Sequence, residues 1–225
     1  CNEPVGADWN SDIKPYAETV IGTIRQFDDH ALILVGTNKW SQDVDSVVGN
    51  TLDDGNVMYV AHFYAGTHKE NIRNKISTAL NAGVPVFISE CSICDASGNG
   101  GIDYASANEW LDFMNSNQLS FIAWSLSNKA ETSALISSGC SAKSGWSDGD
   151  LSETQGVSFE SLVMKILQAE NAPAVLLNFA VFMNDWNLQN RLQPIGERYE
   201  LPMVSVKDAV VPQFEKNRVI TKRQF

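Results

Sequence analysis

Long apolar runs are missing from this 225-residue chain. None approaches the roughly 20 residues that a membrane helix needs, and the longest are strand-sized. Surplus positive charge is missing too: 16 Lys and Arg stand against 27 Asp and Glu, a formal net charge of −11. Phosphate recognition needs clustered Lys and Arg, so this balance excludes nucleic acid as a partner class, as the short apolar runs exclude the membrane. No signal peptide, internal repeat or low-complexity segment is visible. The chain opens on Cys1-Asn2-Glu3-Pro4 rather than on methionine. It therefore reads as a piece of something longer, and what precedes Cys1 is left open. Cysteine is scarce: Cys1, Cys91, Cys94 and Cys140. Cys91 and Cys94 have C-x-x-C spacing, but a redox pair normally opens a helix and a zinc site needs further ligands. Here the pair follows an apolar run and precedes the loop Asp95-Ala96-Ser97-Gly98-Asn99-Gly100-Gly101. The expectation is incidental free thiols or one disulfide, with zinc or redox chemistry as the competing reading. No metal or cofactor is expected.

What is present is organised around Pro85-Val86-Phe87-Ile88-Ser89-Glu90. A short apolar run marks a strand buried on both faces of a parallel sheet. It ends on a carboxylate, at the end of the strand where parallel α/β folds place their chemistry. A carboxylate in an ordinary strand-to-loop turn is the plain alternative. The same plan recurs along the chain. Ile13, Tyr16, Ala17, Val20, Ile21 and Ile24 keep helical spacing over 13–27, with Asp12 as the expected N-cap. Strands are predicted at 31–36, 56–64 and 119–124. Helices are predicted at 68–82, closed by Gly83, and at 102–115. This alternation is the β/α pattern of a parallel sheet or barrel. Residues 137–152, rich in Ser, Gly and Asp, read as loop. Beyond them, helices are predicted at 159–171 and 187–199, and strands at 174–179 and 201–206.

The polar residues at strand ends form a chemical set. Glu3 and Glu90 offer two carboxylates. Hydrolysis of a glycosidic bond with retention uses such a pair, about 5–5.5 Å apart, one as acid/base and one as nucleophile. Asn2 can both donate to and accept from a sugar hydroxyl. His62 and Tyr64 lie two apart on one strand and share a face. A tyrosine hydroxyl beside a carboxylate holds it ionised and oriented. Trp40 and Trp124 present flat apolar faces on which sugar rings pack; taken singly, each is as readily a core residue.

Asn2-Glu3-Pro4, then Trp40-Ser41-Gln42-Asp43-Val44-Asp45, His62-Phe63-Tyr64-Ala65, Ser89-Glu90, and Trp124-Ser125-Leu126-Ser127-Asn128-Lys129-Ala130-Glu131 occur in this order. Together they resemble glycoside hydrolase family 5, and within it the bacterial endo-β-1,4-glucanases, over residues 1–154. The resemblance implies an α/β fold, the C-terminal half of a (β/α)8 TIM barrel running from the end of strand 4 to strand 8. It implies a secreted, retaining cellulase acting on β-glucan, with Glu3 as acid/base and Glu90 as nucleophile. It places His62 and Tyr64 at the bond to be cleaved and Asn2 at the sugar's 2-hydroxyl. Trp40, Trp124, Lys129 and Glu131 are implied to bind neighbouring glucose units. The family usually carries an aromatic residue and then glycine after the nucleophile; Cys91 and Ser92 stand there instead. Its first three strands have no counterpart here, which makes the missing N-terminal half-barrel an implied partner.

Residues 155–225 resemble a different family, the SGNH (GDSL-type) esterases. The resemblance rests on Phe159-Glu160-Ser161-Leu162-Val163, on residues 174–179 and on Tyr199-Glu200-Leu201-Pro202-Met203-Val204-Ser205. It implies further β/α units of a partial SGNH-like segment, able to extend the sheet. That family's catalytic serine and Asp-x-x-His blocks are absent, so no esterase site is expected. Two rivals accompany the cellulase reading: a non-catalytic carbohydrate-binding fragment, and a chimeric remnant with no independent activity.

Overall fold

The structure, a computed structural model, describes residues 1–142, 146–153, 176–178 and 203–205. The chain divides into two compact units, residues 1–140 with 148–159, and residues 141–147 with 160–225. The first unit is a four-stranded parallel sheet in the order β1 (Ile33–Val35), β2 (Val57–Tyr64), β3 (Val86–Ser92), β4 (Phe121–Ala123). Helix α1 (Lys14–Ile24) precedes β1. A short turn, α2 (Asn38–Ser41), follows β1, while α3 (Glu70–Asn81) and α4 (Tyr104–Ser116) connect β2 to β3 and β3 to β4. Neighbouring strands that follow each other in sequence, joined by helices, are arranged as successive staves of a barrel. The sheet is consistent with a fragment of a (β/α)8 barrel. No helix among the described residues is long and apolar enough to cross a membrane.

The helices form where the apolar spacing predicts them, with ends displaced by capping chemistry. A π-helical turn, Trp9–Ile13, leads directly into α1, and this helical start is capped at Asp8 rather than at Asp12. The Asp8 carboxylate accepts the Asn10 and Ser11 amides at 2.9 and 3.1 Å, and Asp12 accepts the Asp8 amide in return at 2.8 Å. That reciprocal arrangement satisfies amides that otherwise lack partners at a helix start. The earlier start also buries Trp9, whose indole N–H reaches the Asn50 carbonyl at 2.8 Å. Helix α3 buries Ile72, Ile76 and Ala79 on one face. Gly83 follows it at φ +78°, a left-handed conformation that glycine adopts without strain. Helix α4 is capped by Asp103, which accepts the Ser106 amide at 3.0 Å. Its Trp110 stacks on Phe63 of β2 with ring centroids 3.7 Å apart, a contact worth about 0.5–1.5 kcal/mol beyond area burial.

Strands β2 and β3 are covered almost throughout, as an apolar run inside a parallel sheet requires. β1 is not the buried strand its composition predicts. It is the sheet edge: Leu32 and Leu34 are exposed, and an open apolar trough of about 360 Å³ runs between α1 and β1. An apolar run is read as buried only because most such strands have neighbours on both sides, and among the described residues this one has a neighbour, β2, on one side only. β3 also runs two residues beyond Glu90, to Ser92.

In the second unit, β5 (Leu176–Asn178) and β6 (Met203–Ser205) pair in parallel, Leu177 opposite Val204. They form a two-stranded sheet within that unit. The helices predicted at 159–171 and 187–199 lie outside the described residues.

Candidate active site

Local irregularity brings the chemistry together. The β2–β3 register shifts between Val60 and His62, and the β3–β4 register between Ile88 and Cys91. Such bulges re-aim side chains next to functional sites. After the first shift, His62 lies directly opposite Glu90.

His62 is the hub, only 2% exposed. Its Nδ1 lies 2.8 Å from Glu3 Oε1 and 3.9 Å from Glu90 Oε2. Its Nε2 lies 2.8 Å from Ser89 Oγ. The Tyr64 hydroxyl donates to Glu90 Oε1 at 2.6 Å. Donor atoms of Glu3, His62 and Glu90 all fall within 4.8 Å of one another. The two carboxylates therefore face each other across a gap close to that of a retaining pair. Burial, then the bond to Glu90 and the charge of Glu3, push the Tyr64 hydroxyl far above its ordinary pKa. It stays a proton donor to Glu90. The Glu3–His62–Glu90 set also has donor types suited to a divalent cation; Glu3 Oε1 is engaged by His62 and Glu90 Oε1 by Tyr64.

Glu3 belongs to no strand, and its position depends on neighbours. The Ser41 hydroxyl donates to the Asn2 carbonyl at 2.8 Å, and the Trp40 amide to the Pro4 carbonyl at 3.2 Å. Glycine at position 36 permits this approach, because a Cβ there would lie 2.5 Å from the Cys1 carbonyl. The anchoring turn is left-handed at three successive non-glycine residues, Lys39, Trp40 and Ser41, with φ of 52–57°. Each such residue costs roughly 1–2 kcal/mol. The turn is held by buried groups: Thr37 donates to the Val60 carbonyl at 3.1 Å, and the Thr37 amide donates to Ser41 Oγ at 3.2 Å. Asp43 beneath it pairs with Lys75 and, at 3.1 Å, with Lys39. Burial works to raise the Asp43 carboxyl, but the two lysines outweigh it and the net direction is down.

The remaining predicted residues lie on loops flanking this centre. Trp40 follows β1 and is 51% exposed; Trp124 follows β4 and is 44% exposed. Neither is packed as a core residue. The Trp124–Ser125 peptide is cis. Lys129 pairs with Glu131 at 2.5 Å, and Ser133 donates to Glu131 at 3.0 Å. Lys129, assisted by Ser133, holds the Glu131 carboxyl below its usual range. The loop after β3 braces this group, since the Ser133 amide donates to the Gly98 carbonyl at 2.9 Å. Asn2 is exposed beside Glu3.

Of the two outcomes expected for the cysteines, free thiols are found, and one site residue is added. The four cysteines carry no disulfide. Cys91 and Cys94 are buried, and desolvation pushes both thiols up, Cys91 further so beside the Glu90 charge. Neutral buried thiols are poor nucleophiles and poor ligands. Cys91 instead fills the space after Glu90, its thiol 3.4 Å from the Ile122 carbonyl, and Ser92 Oγ meets Cys94 Sγ at 3.0 Å. Ser89 was missed as a site residue. A serine before a strand-end carboxylate carries no signal alone; only the opposite strand shows that it meets His62.

Comparison with known proteins agrees with this arrangement. Residues 1–130 match the family described as cellulase (glycosyl hydrolase family 5). An endoglucanase of Clostridium saccharobutylicum is 47% identical over 152 residues, covering 67% of this chain and 34% of that protein. A solved structure from Cytophaga hutchinsonii is similar with a TM-score of 0.69 at 41% identity, over 73% of this chain and 54% of that one. The catalytic domain of Thermobifida fusca endoglucanase Cel5A, solved in complex with cellotetraose, has a TM-score of 0.67 at 32% identity, over 72% and 55%. The chain thus spans about a third of the length of the curated relatives it matches, and about half of the solved ones. The family match takes in the segment that places Glu3, the strands that carry His62, Tyr64 and Glu90, and more than half of all residues, and the chain belongs to glycosyl hydrolase family 5.

Proposed function

We propose that this chain carries the catalytic pair of a retaining endo-β-1,4-glucanase, a secreted enzyme that hydrolyses β-glucan without a cofactor. The observation that carries the reading is the pair Glu3 and Glu90, joined through His62 with oxygens within 4.8 Å. Glu90 attacks the anomeric carbon, and Glu3 protonates the leaving oxygen. Glu3 then takes a proton from water as the covalent glycosyl-enzyme is hydrolysed. Tyr64 holds one Glu90 oxygen by donation, leaving the other to attack. Asn2 binds the 2-hydroxyl, and Trp40, Trp124, Lys129 and Glu131 bind glucose units on either side. Exposed tryptophans suit this role, because sugar rings stack on indole faces.

Residues 1–154 form the barrel part in this reading, and the N-terminal half-barrel is its partner; nucleic acid and membrane are not. Residues 155–225 are a partial SGNH-like segment without hydrolytic activity, since the nucleophile and histidine blocks are absent. Hydrolysis of p-nitrophenyl acetate by that segment above a heat-treated control would contradict this. The cellulase reading is tested by a 2-fluoro cellobioside with an activated leaving group, applied with the half-barrel supplied. Mass spectrometry is expected to find the label on Glu90; a label on another carboxylate overturns the assignment. Binding of cello-oligosaccharide with neither labelling nor turnover would favour a carbohydrate-binding fragment, to which the exposed tryptophans also lend themselves.

A further inference from the structure

Beyond the two carboxylates, the geometry points to Ser89 as a positioning residue that determines which oxygen of Glu3 carries the transferred proton. The inference rests on the reading of Glu3 as acid/base. An ionised carboxylate only accepts, so while Glu3 is ionised its short contact with His62, Oε1 to Nδ1 at 2.8 Å, places hydrogen on Nδ1. A neutral imidazole then has a bare Nε2, which must accept. The Ser89 hydroxyl, 2.8 Å away, is the donor placed to meet it. The chain of donation runs Ser89 to His62 to Glu3.

Two consequences follow for Glu3. Its Oε1 is occupied by His62 whether or not the group is protonated, so the exchangeable proton belongs on Oε2. The imidazole also cannot turn over, because a flip would break hydrogen bonds at both ring nitrogens. His62 is 2% exposed, so water cannot easily replace Ser89. A buried acceptor without a partner costs about 1–3 kcal/mol. Without the hydroxyl, the ring is free to rotate or to move its hydrogen to Nε2, and Glu3 loses its fixed donor. Ser89 touches no substrate in this scheme and acts only through His62. The adjacent positions on β3 divide the labour: Glu90 attacks, while Ser89 orients the histidine that orients the opposing acid.

The test uses the full chain with 15N-labelled histidine and reads the ring nitrogens of His62, assigned against a His62→Gln variant. Wild type is expected to show hydrogen on Nδ1 and a bare Nε2. Ser89→Ala is expected to show exchange between both tautomers, and Ser89→Thr, which keeps the hydroxyl, to restore the wild-type pattern. A wild-type Nε2–H tautomer overturns the inference, as does a folded Ser89→Ala protein with unchanged ring-nitrogen signals. Should Ser89→Ala not fold, the wild-type and Ser89→Thr spectra still decide. These spectra need no turnover, so they stand apart from any failure of the cellulase reading. Where turnover is measurable with the half-barrel supplied, Ser89→Ala is expected to lower kcat about tenfold, the size of one lost buried hydrogen bond. KM should stay unchanged and Ser89→Thr should recover kcat.

Discussion

The centre of the sheet and its β1 edge are built from similar residues and end in different situations. β2 and β3 are covered on both faces, and their C-terminal ends hold two hydrogen-bonded pairs, His62 with Ser89 and Tyr64 with Glu90, which approach each other where His62 Nδ1 lies 3.9 Å from Glu90 Oε2. β1 has the same aliphatic character, yet Leu32 and Leu34 are exposed and an apolar trough lies beside it. A strand becomes an interior strand through its neighbours. Two of the three groups that converge on His62, Ser89 and Glu90, are supplied by the centre. Glu3 alone comes from the edge side, held by Ser41, Trp40 and the close approach at Gly36. Glu3 therefore depends on the less protected region and Glu90 on the better protected one.

The largest expected effect removes the chemistry from the centre. With the half-barrel supplied, Glu90→Gln should lower kcat on an activated aryl cellobioside by about three orders of magnitude or more, as loss of a nucleophile does. Glu3→Ala should regain turnover when azide is added, since azide replaces the second step's activated water. Azide rescue of Glu90→Gln in place of Glu3→Ala would reverse the two roles.

The next effect concerns the edge as a whole. Uncovered apolar edges are aggregation sites, and a barrel closes by pairing its last strand with its first. The chain alone should hydrolyse carboxymethyl-cellulose weakly or not at all, and the half-barrel added in trans should raise the rate. A rate near 10 per second, about the median for enzymes, from the chain alone would break the contrast between centre and edge.

Core substitutions sharpen the same contrast on a smaller scale. Ile88 in β3 is fully buried, and Ile88→Ala should cost about 2–5 kcal/mol in urea unfolding. Leu34→Ala on β1 should cost under about 1 kcal/mol in the isolated chain, because little apolar area is lost from an exposed position. Equal costs would mean that the β1 edge is covered in solution.

The smallest effect is electrostatic. The Arg25 guanidinium, with the Asn56 amide, holds the Asp54 carboxyl down at about 2. A depressed folded pKa contributes stability above the unfolded value, near 3.8, and loses it as pH falls toward 2. Arg25→Ala should therefore destabilise the chain at neutral pH and flatten its acid unfolding between those values. An acid-unfolding curve parallel to wild type would remove the ion pair from the account.

Much of the fold was legible because periodicity and capping are local. The helical spacing of Ile72, Ile76 and Ala79 and the stop at Gly83 need nothing beyond the segment itself. The same holds for the apolar run ending at Glu90, and for His62 and Tyr64 sharing a face. The cap of α1 was misplaced by one turn, because burial of Trp9 against Asn50 is a contact across 41 residues. Strand ends signalled the flanking tryptophans, but only their exposure in the folded chain separates them from core residues.

By itself, then, the sequence determined the alternation of strands and helices, the identity of the strand-end groups and the acidic charge balance. These follow from residue type and spacing along one segment. The tertiary structure alone decided which strand is an edge, because burial depends on neighbours. It alone brought Glu3, through Ser41 and Gly36, to a histidine 59 positions away. And it alone set Ser89 against His62 Nε2, since a hydrogen bond between strands depends on a register that bulges shift and local pattern does not encode.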